Sequence, residues 1–540
     1  MKKNLVFAVI AALSLTACVG DLDQTPMADN VVNNVYGDPE YRMSALAKVY
    51  GAFSLVGQGG SGNADIDVND AGASEFLRAW WSIQTVSTDE CKCVWGDAWV
   101  AEIGGNAWTA TKNDAVYATY TRGMMMIAFA NDFLRNTSDD DPEVAVERAE
   151  VRFLRAYAYW VLLDCFGNPP FVTENDPVGA FKPAQTDAPT LFNWLRTELT
   201  ELTSAASNLK APHTQIYPRV DKGAAYGLLA RLCLNHKTYL GTEDTSIYKT
   251  ARDAAEEVCK AYTLCSDFSA LFRGDNGENP DALKEIIYAS CYDANKTQSY
   301  GGTSFFILAG KGEQYTLGID GNWNGLVAGT ESVVRFVGQG VVDKANVRDD
   351  KTPGDDKSVF MAVDKRALFS LSDCDSKTVD ASNFSNGWHV VKYDNRIHGD
   401  ESDAQPTAKY SSIDFPMIRL AEMYLIYAEA QARIDGGQTA DAKAVGYIKD
   451  LQIRAGLTPT FSTVTLEDVF NEISREMFWE GQRRTTLIRF NRFSSADFLW
   501  PFKGGVKNGQ GFARYMELFP LPSDDLLAND NLKQNPGYTN

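Results

Sequence analysis

Apolar residues recur at helical spacing through both ends of the chain, and local start and stop signals frame the segments that carry them. Asp141-Pro142-Glu143 offers an N-cap followed by proline at the first helical position. Val151, Leu154, Ala158, Val161, Leu162 and Cys165 then share one face, and Gly167, Pro169 and Pro170 end the helix. Asp221 precedes a stripe of Ala225, Leu228, Leu229 and Leu232, and beyond Gly241 a second helix carries Ala251, Ala254, Ala255 and Val258. The C-terminal part repeats the arrangement. Leu420, Tyr424, Tyr427, Ala428 and Gln431 line one helix that Gly436-Gly437 stops, and Val445 and Ile448 anchor the next. Thr465-Leu466-Glu467-Asp468 resembles a capping box ahead of Val469, Ile473 and Met477.

Antiparallel helix pairs with small residues at close contacts are the unit of tetratricopeptide-like stacking, although its strict repeat consensus is absent. From 267 to 414 the chain is rich in Gly, Asn, Asp and Ser, and predicts loops with short strands. Long ordered loops on a rigid scaffold are where binding residues concentrate. The pattern therefore predicts a mainly α protein. Its single domain, 18–540, divides into an N-terminal helical part with early ligand loops (18–266), a loop-rich ligand-binding region (267–414) and a C-terminal helical part (415–540).

The first 17 residues read differently. Lys2 and Lys3 form a basic start, Leu5 to Leu15 is almost wholly apolar, and Leu15-Thr16-Ala17-Cys18 closes the segment as a lipoprotein signal does. The apolar run is far shorter than the roughly 20 residues that span a bilayer. Residues 1–17 are thus expected to be removed and Cys18 to carry the lipid, the only expected attachment to a membrane.

Charge narrows the partners. A net charge of −20, with basic residues scattered, argues against nucleic acid, whose affinity rests on Lys and Arg neutralising phosphates. Of the remaining eight cysteines, Cys165, Cys233 and Cys259 fall on apolar helical faces, so few disulfides are expected. Cys91 and Cys93 are too close for a zinc pair and lack a second pair, so no metal and no cofactor is expected. Gly57-x-Gly59-x-x-Gly62 matches a dinucleotide pattern without the surrounding βαβ signal, and reads as a loop.

Several motifs occur in order: Thr88-Asp89-Glu90-Cys91 and Trp108; Arg152-Phe153-Leu154-Arg155-Ala156 leading to Phe166-Gly167-Asn168-Pro169-Pro170; Phe415-Pro416 with Ile418-Arg419-Leu420-Ala421-Glu422. Arg475-Glu476, Glu480-Gly481, Arg483-Arg484 and Leu487-Ile488-Arg489-Phe490 follow, then Phe519-Pro520-Leu521-Pro522 and Gln534-Asn535-Pro536-Gly537. Along nearly its whole length the chain resembles the RagB/SusD family of outer-membrane nutrient-uptake lipoproteins. The resemblance implies a right-handed bundle of tetratricopeptide-like helix pairs supporting an irregular region. It also implies a non-enzymatic, lipid-anchored protein at the cell surface that captures glycan and sits as a lid over a TonB-dependent outer-membrane transporter. Glu476, Glu480, Arg483 and Arg489 are expected to form ion pairs at helical spacing.

Gly62-Asn63-Ala64-Asp65, Phe76-Leu77-Arg78, Trp95, Tyr300-Gly301-Gly302 and Trp323 follow the order of the family's starch-binding branch. By that resemblance Trp95, Tyr300 and Trp323 form an aromatic arc under an α-glucan, while Asp65 and Arg78 hydrogen-bond its hydroxyls. The chemistry suits a pyranose, which presents a face of C–H groups and a rim of hydroxyls. Polar, glycine-rich surroundings predict that Trp95 and Trp323 face solvent. Tyr393 and Arg396 are further candidate contacts. Cys93 and Ala98 stand where the starch-binding branch has an aromatic and an amide, and Gly277 interrupts the acidic Asp275–Glu278 loop where a calcium ligand would be expected. Two rivals are a helical scaffold that binds only protein, and a glycoside hydrolase built on acids such as Asp65, Asp67 and Asp70, which would need a spaced carboxyl pair.

Overall fold

A computed structural model describes residues 35–346, 360–400, 402 and 406–538. The signal segment and Cys18 lie outside the described residues. The N-terminal part contains α1 (Pro39–Gly51), α2 (Phe76–Thr85), β1 (Lys92–Cys93), α3 (Ala98–Gly104), α4 (Asp114–Arg135), α5 (Pro142–Phe166), α6 (Ala188–Thr203), α7 (Lys222–Leu234) and α8 (Thr245–Cys259). The middle contributes β2 (Ile286–Ser290), α9 (Gly302–Gly310) and β3 (Leu326–Val327). The C-terminal part contains β4 (Phe415–Arg419), α10 (Leu420–Ile434), α11 (Ala442–Arg454), α12 (Leu466–Glu476) and α13 (Arg483–Arg489).

The local signals act as their chemistry requires. Asp141 and Asp221 accept the free amides of Glu143 and Gly223 at 2.8 Å each, and Thr465 and Asp468 cap each other's backbone. Gly167, at φ 72°, takes a positive-φ conformation that favours glycine and stops α5. Helices α4 to α7 pack on one another in sequence order, and α8 packs against both α7 and α10, which joins the two helical parts. Close approach needs small residues. A Cβ on Gly123 of α4 would lie 3.1 Å from Leu162 of α5, and one on Gly227 of α7 would meet Ile418 at 2.8 Å.

The loop-rich region contains helices that periodicity does not announce. Helix α9 (GTSFFILAG) is buried along its whole length, so no polar face marks it. The sheets are two-stranded: β1 pairs with β3, and β2 with β4, both antiparallel.

A charged core ties the parts together. Arg419 at the end of β4 bonds Glu285 (2.8 Å), Glu476 (2.7 Å) and Glu480 (2.7 Å), all fully buried. Arg366 reaches Asp364, Glu472 and Glu476, Arg454 reaches Glu285 and Glu476, and Lys392 reaches Glu480. Burial opposes ionisation of Glu476, but Arg454, Arg419 and Arg366 outweigh it and hold the carboxyl well below the usual range. The expected ion pairs form, though not at helical spacing. Arg483 pairs with Asp89 at 2.7 Å and Arg489 with Glu429 at 2.7 Å, so each joins segments remote in sequence.

Seven cysteines, from Cys91 to Cys291, are free thiols, and five of them are buried; Cys374 is buried as well. No helix among the described residues is long and apolar enough to cross a membrane.

Candidate functional site

Seven of the eleven tryptophans are core: Trp80, Trp81, Trp108, Trp160, Trp388, Trp479 and Trp500 are all buried. Trp95, Trp99, Trp194 and Trp323 are half-buried, and three of these four line one cleft.

The short ladder between β1 and β3 creates that convergence. Lys92 pairs with Val327 and Cys93 with Leu326, so Trp95 just after β1 meets Trp323 just before β3. Val94 N–H donates to the Gly325 carbonyl (2.9 Å), and Trp95 Nε1–H donates to the Asn324 carbonyl (2.9 Å). Gly325 has φ 104°, and a Cβ there would stand 2.2 Å from Trp95 Nε1. The backbone N–H groups of Trp323 and Asn324 both donate to Leu308 O of α9, at 2.8 and 3.0 Å. The two indoles lie edge to face, centroids 6.5 Å apart at 65°. Trp95 also packs against Phe305, at 6.0 Å. The loops therefore expose the two rings less than their glycine-rich sequence predicts, because each ring keeps one side on the core.

Arg78 projects from the first turn of α2 into the same place. It is buried, its Nη2 pairs with Asp70 at 2.8 Å, and its Nη1 donates to Tyr300 O at 3.3 Å. Its guanidinium lies 4.5 Å from the Phe305 centroid and 5.8 Å from that of Trp323. Tyr300 sits on the far side of Trp323, with centroids 5.5 Å apart, and does not line the cleft itself. The turn that carries it is held from below. Glu75, the residue capping α2, accepts hydrogen bonds from Ser299 and Tyr292, and a Cβ on Gly301 would stand 2.2 Å from its Oε2. Burial raises the Glu75 carboxyl to about 7, against the hydrogen bonds from Ser299 and Tyr292 and the charges of Arg122 and Arg78.

The cleft holds about 380 Å³ and opens to solvent. Trp95, Trp99 and Trp323 supply its apolar walls, while Asp70, Arg78, Glu102 and Lys112 supply polar groups. Glu102 accepts from Asn113 Nδ2 at 2.7 Å, and Lys112 reaches Asp67 at 3.1 Å. Flat rings beside oriented donors and acceptors are what a sugar needs, one face apolar and the rim polar. The space between Trp160, Arg231 and Glu429, inside the helical layers, holds room for water but not for a sugar.

Three sequence expectations need correction. Asp65 does not share the cleft: its carboxylate pairs with Arg122 at 2.8 Å in a separate hollow beside Lys48 and Phe129, and Asp70 is the acid on Arg78. Tyr393 is buried, its hydroxyl donating to Trp479 O at 2.8 Å, so it reaches no ligand. Arg396 is turned onto Asp394 at 2.7 Å. Cys93 is buried in the ladder and Ala98 lies exposed on the cleft wall. Sequence reasoning missed Trp99, Glu102 and Lys112. Trp99 stands four residues after Trp95, in the first turn of α3 just beyond the polar Gly96-Asp97 loop, which was a usable signal. Gly277 meets Asp414 so closely that a Cβ would stand 2.4 Å from its Oδ2. Among the described residues no group of three or more His, Cys, Asp or Glu is arranged to hold a metal.

Residues 284–538 match the model of the SusD family, and residues 74–234 match a model described as starch-binding associating with outer membrane. The chain is 32% identical over 98% of its length to the starch-binding protein SusD of Bacteroides thetaiotaomicron, of which it covers 98%. The chain belongs to the SusD family. A more distant SusD-family relative, SusD-like protein P2 of Formosa agariphila, is 22% identical with both chains covered in full. A SusD-like carbohydrate binding protein of Bacteroides fragilis superposes with a TM-score of 0.70 at 20% identity, over 92% of this chain and 100% of that one. Surface glycan-binding protein A of Bacteroides thetaiotaomicron gives 0.66 at 20%, over 92% and 99%. At such identities these structures speak for the fold, which is the mainly helical SusD architecture.

Proposed function

We propose that this SusD-family protein is a non-catalytic surface receptor that captures an oligosaccharide of the α-glucan class in the Trp95–Trp323 cleft. In this reading it is lipid-anchored through Cys18 and delivers the sugar to a TonB-dependent outer-membrane transporter. The observation that carries the reading is the Trp95–Trp323 pair standing at 6.5 Å over an open cleft floored by the Arg78–Asp70 pair. Each indole offers a flat face to the C–H side of a pyranose, Arg78 offers donors in fixed geometry, and Asp70 offers acceptors. Likeness to a starch-binding protein across 98% of the chain favours α-glucan over other neutral glycans.

A hydrolytic role is less well supported by the same geometry. Asp70 and Glu102 are each engaged by a neighbour, Arg78 and Asn113, which orients them as ligand acceptors rather than as a free acid and base. Calorimetry on leader-free protein with maltooligosaccharides and cyclodextrins tests the reading. Dissociation constants between millimolar and micromolar, about −4 to −8 kcal/mol, are expected without release of shorter sugars. Trp95→Ala combined with Trp323→Ala should abolish binding. Undiminished affinity in that variant, or binding of other glycans but not α-glucan, overturns the assignment.

A further inference from the structure

The cleft ends at Trp323, but the aromatic series does not. Tyr300 follows Trp323 at 5.5 Å, and Tyr410 follows Tyr300 at 5.0 Å, the two pairs each tilted by 53°. The Tyr410 ring is buried, so it offers no stacking face, yet its hydroxyl end is built into a polar cluster. Its oxygen lies 2.8 Å from Ser61 Oγ, on the glycine-rich loop before Asp65. Lys409 is exposed, with its ammonium 5.7 Å from the Tyr300 centroid and 5.1 Å from that of Tyr410. Burial works against ionisation of the Tyr410 phenol, but the Ser61 hydroxyl and the nearby Lys409 ammonium outweigh it and hold the phenol below its ordinary value. An ammonium has three donors. Lys409 is exposed, so these donors are open to solvent or a ligand beside Tyr300.

The cluster is joined to the cleft. Arg78, which anchors Asp70 on the cleft floor, also donates to the Tyr300 carbonyl. Nothing in the helical packing requires an exposed lysine to be steered onto two tyrosines at the end of an aromatic arc. A chain of sugars lying along Trp95 and Trp323 would meet this cluster as it leaves the cleft.

We propose that Lys409, Ser61 and Tyr300, braced by Tyr410, form an additional subsite that hydrogen-bonds hydroxyls of sugar units running past Trp323. This rests on the oligosaccharide reading above and adds length selection to it: short sugars fill the cleft alone, longer ones also engage Lys409.

Calorimetry with maltotriose and maltoheptaose on the wild type and on Lys409→Met and Ser61→Ala separates the two claims. The wild type should bind maltoheptaose more than about fivefold tighter than maltotriose, beyond what the extra binding registers of a longer chain supply. Lys409→Met should weaken maltoheptaose about five- to tenfold and leave maltotriose unchanged, with Ser61→Ala acting in the same direction more weakly. The melting temperature of Lys409→Met should stay at the wild-type value, since the side chain is exposed. Equal losses for both sugars, or no loss for either, overturn the subsite while the cleft reading stands. A wild type that binds neither sugar overturns the cleft reading, and the subsite with it.

Discussion

Trp95 lies so close over Gly325 that a Cβ on residue 325 would stand 2.2 Å from its indole nitrogen. The glycine is required twice, because its φ of 104° is also outside the range that L side chains favour. The position of one cleft wall thus depends on a residue that offers no side chain to a ligand. Gly325→Ala should push Trp95 off Asn324 at a cost of about 1–3 kcal/mol of stability. Glycan affinity should fall at least about tenfold in calorimetry while the far-ultraviolet circular dichroism stays native. An unchanged affinity would show that Trp95 can shift without consequence for the ligand.

Asp70 and Asp65 are five residues apart and separable by experiment. Asp70 pairs with Arg78 in the cleft, Asp65 with Arg122 outside it. Asp70→Asn should weaken oligosaccharide binding by roughly fivefold, about 1 kcal/mol, the figure being kept small because Asp70 is 56% exposed at its side chain. Asp65→Asn should leave the affinity unchanged. The opposite ranking in a titration of the two variants would return Asp65 to the ligand.

Glu75 makes stability depend on pH in a stated direction. Its folded value, about 7, lies above its unfolded value near 4.5, so the folded state holds the proton more tightly. The stability this supplies is fully present below about pH 4.5 and is lost as pH rises through 7. Between pH 5 and pH 8 the wild type should lose up to about 3 kcal/mol more than Glu75→Gln, measured by urea unfolding at both values. Burial raises Glu90 to about 7 as well, but Glu90 is common to both proteins and cancels in the difference. Parallel pH profiles for the two proteins would show that Glu75 is ionised without penalty.

Removing Arg419 should be the most damaging single change among those considered. It would leave Glu285, Glu476 and Glu480 buried with fewer counter-charges. Loss of one member of a buried ionic network costs about 3–5 kcal/mol. Arg419→Met should lower the unfolding free energy from denaturant titration by that amount and increase protease sensitivity, whereas Arg492→Met, whose pair with Glu467 is partly exposed, should change it by less than about 1 kcal/mol. Similar effects from the two variants would mean that the buried network is dispensable.

Cys18→Ala should release the protein from membranes and leave the fold and sugar binding intact, since the described fold begins beyond it. Fractionation of cells checks this. Retention of the variant in the membrane fraction would remove the lipid assignment.

What the sequence determined by itself was whatever depends on neighbours close along the chain. Asp141-Pro142, Asp221 and the Thr465–Asp468 box start helices, and Gly167 and Gly436-Gly437 stop them, because caps and turns act over three or four residues. Resemblance to the starch-binding branch singles out Trp95 and Trp323, polar, glycine-rich flanks add only an expectation of exposure, and the structure does bring these two rings together. Tertiary structure decided the rest. Trp95 meets Asn324 across 229 positions, Arg483 meets Asp89 across 394, and Tyr393 is covered by Trp479 across 86. No local pattern states which acid an arginine will find, so only the placement of Arg78 and Arg122 puts Asp70 in the cleft and Asp65 outside it. Helix α9 escaped for the opposite reason: a segment buried on every side has no amphipathic period to read. Exposure is a property of packing, and for Trp95, Trp99 and Tyr393 only the assembled chain could assign it.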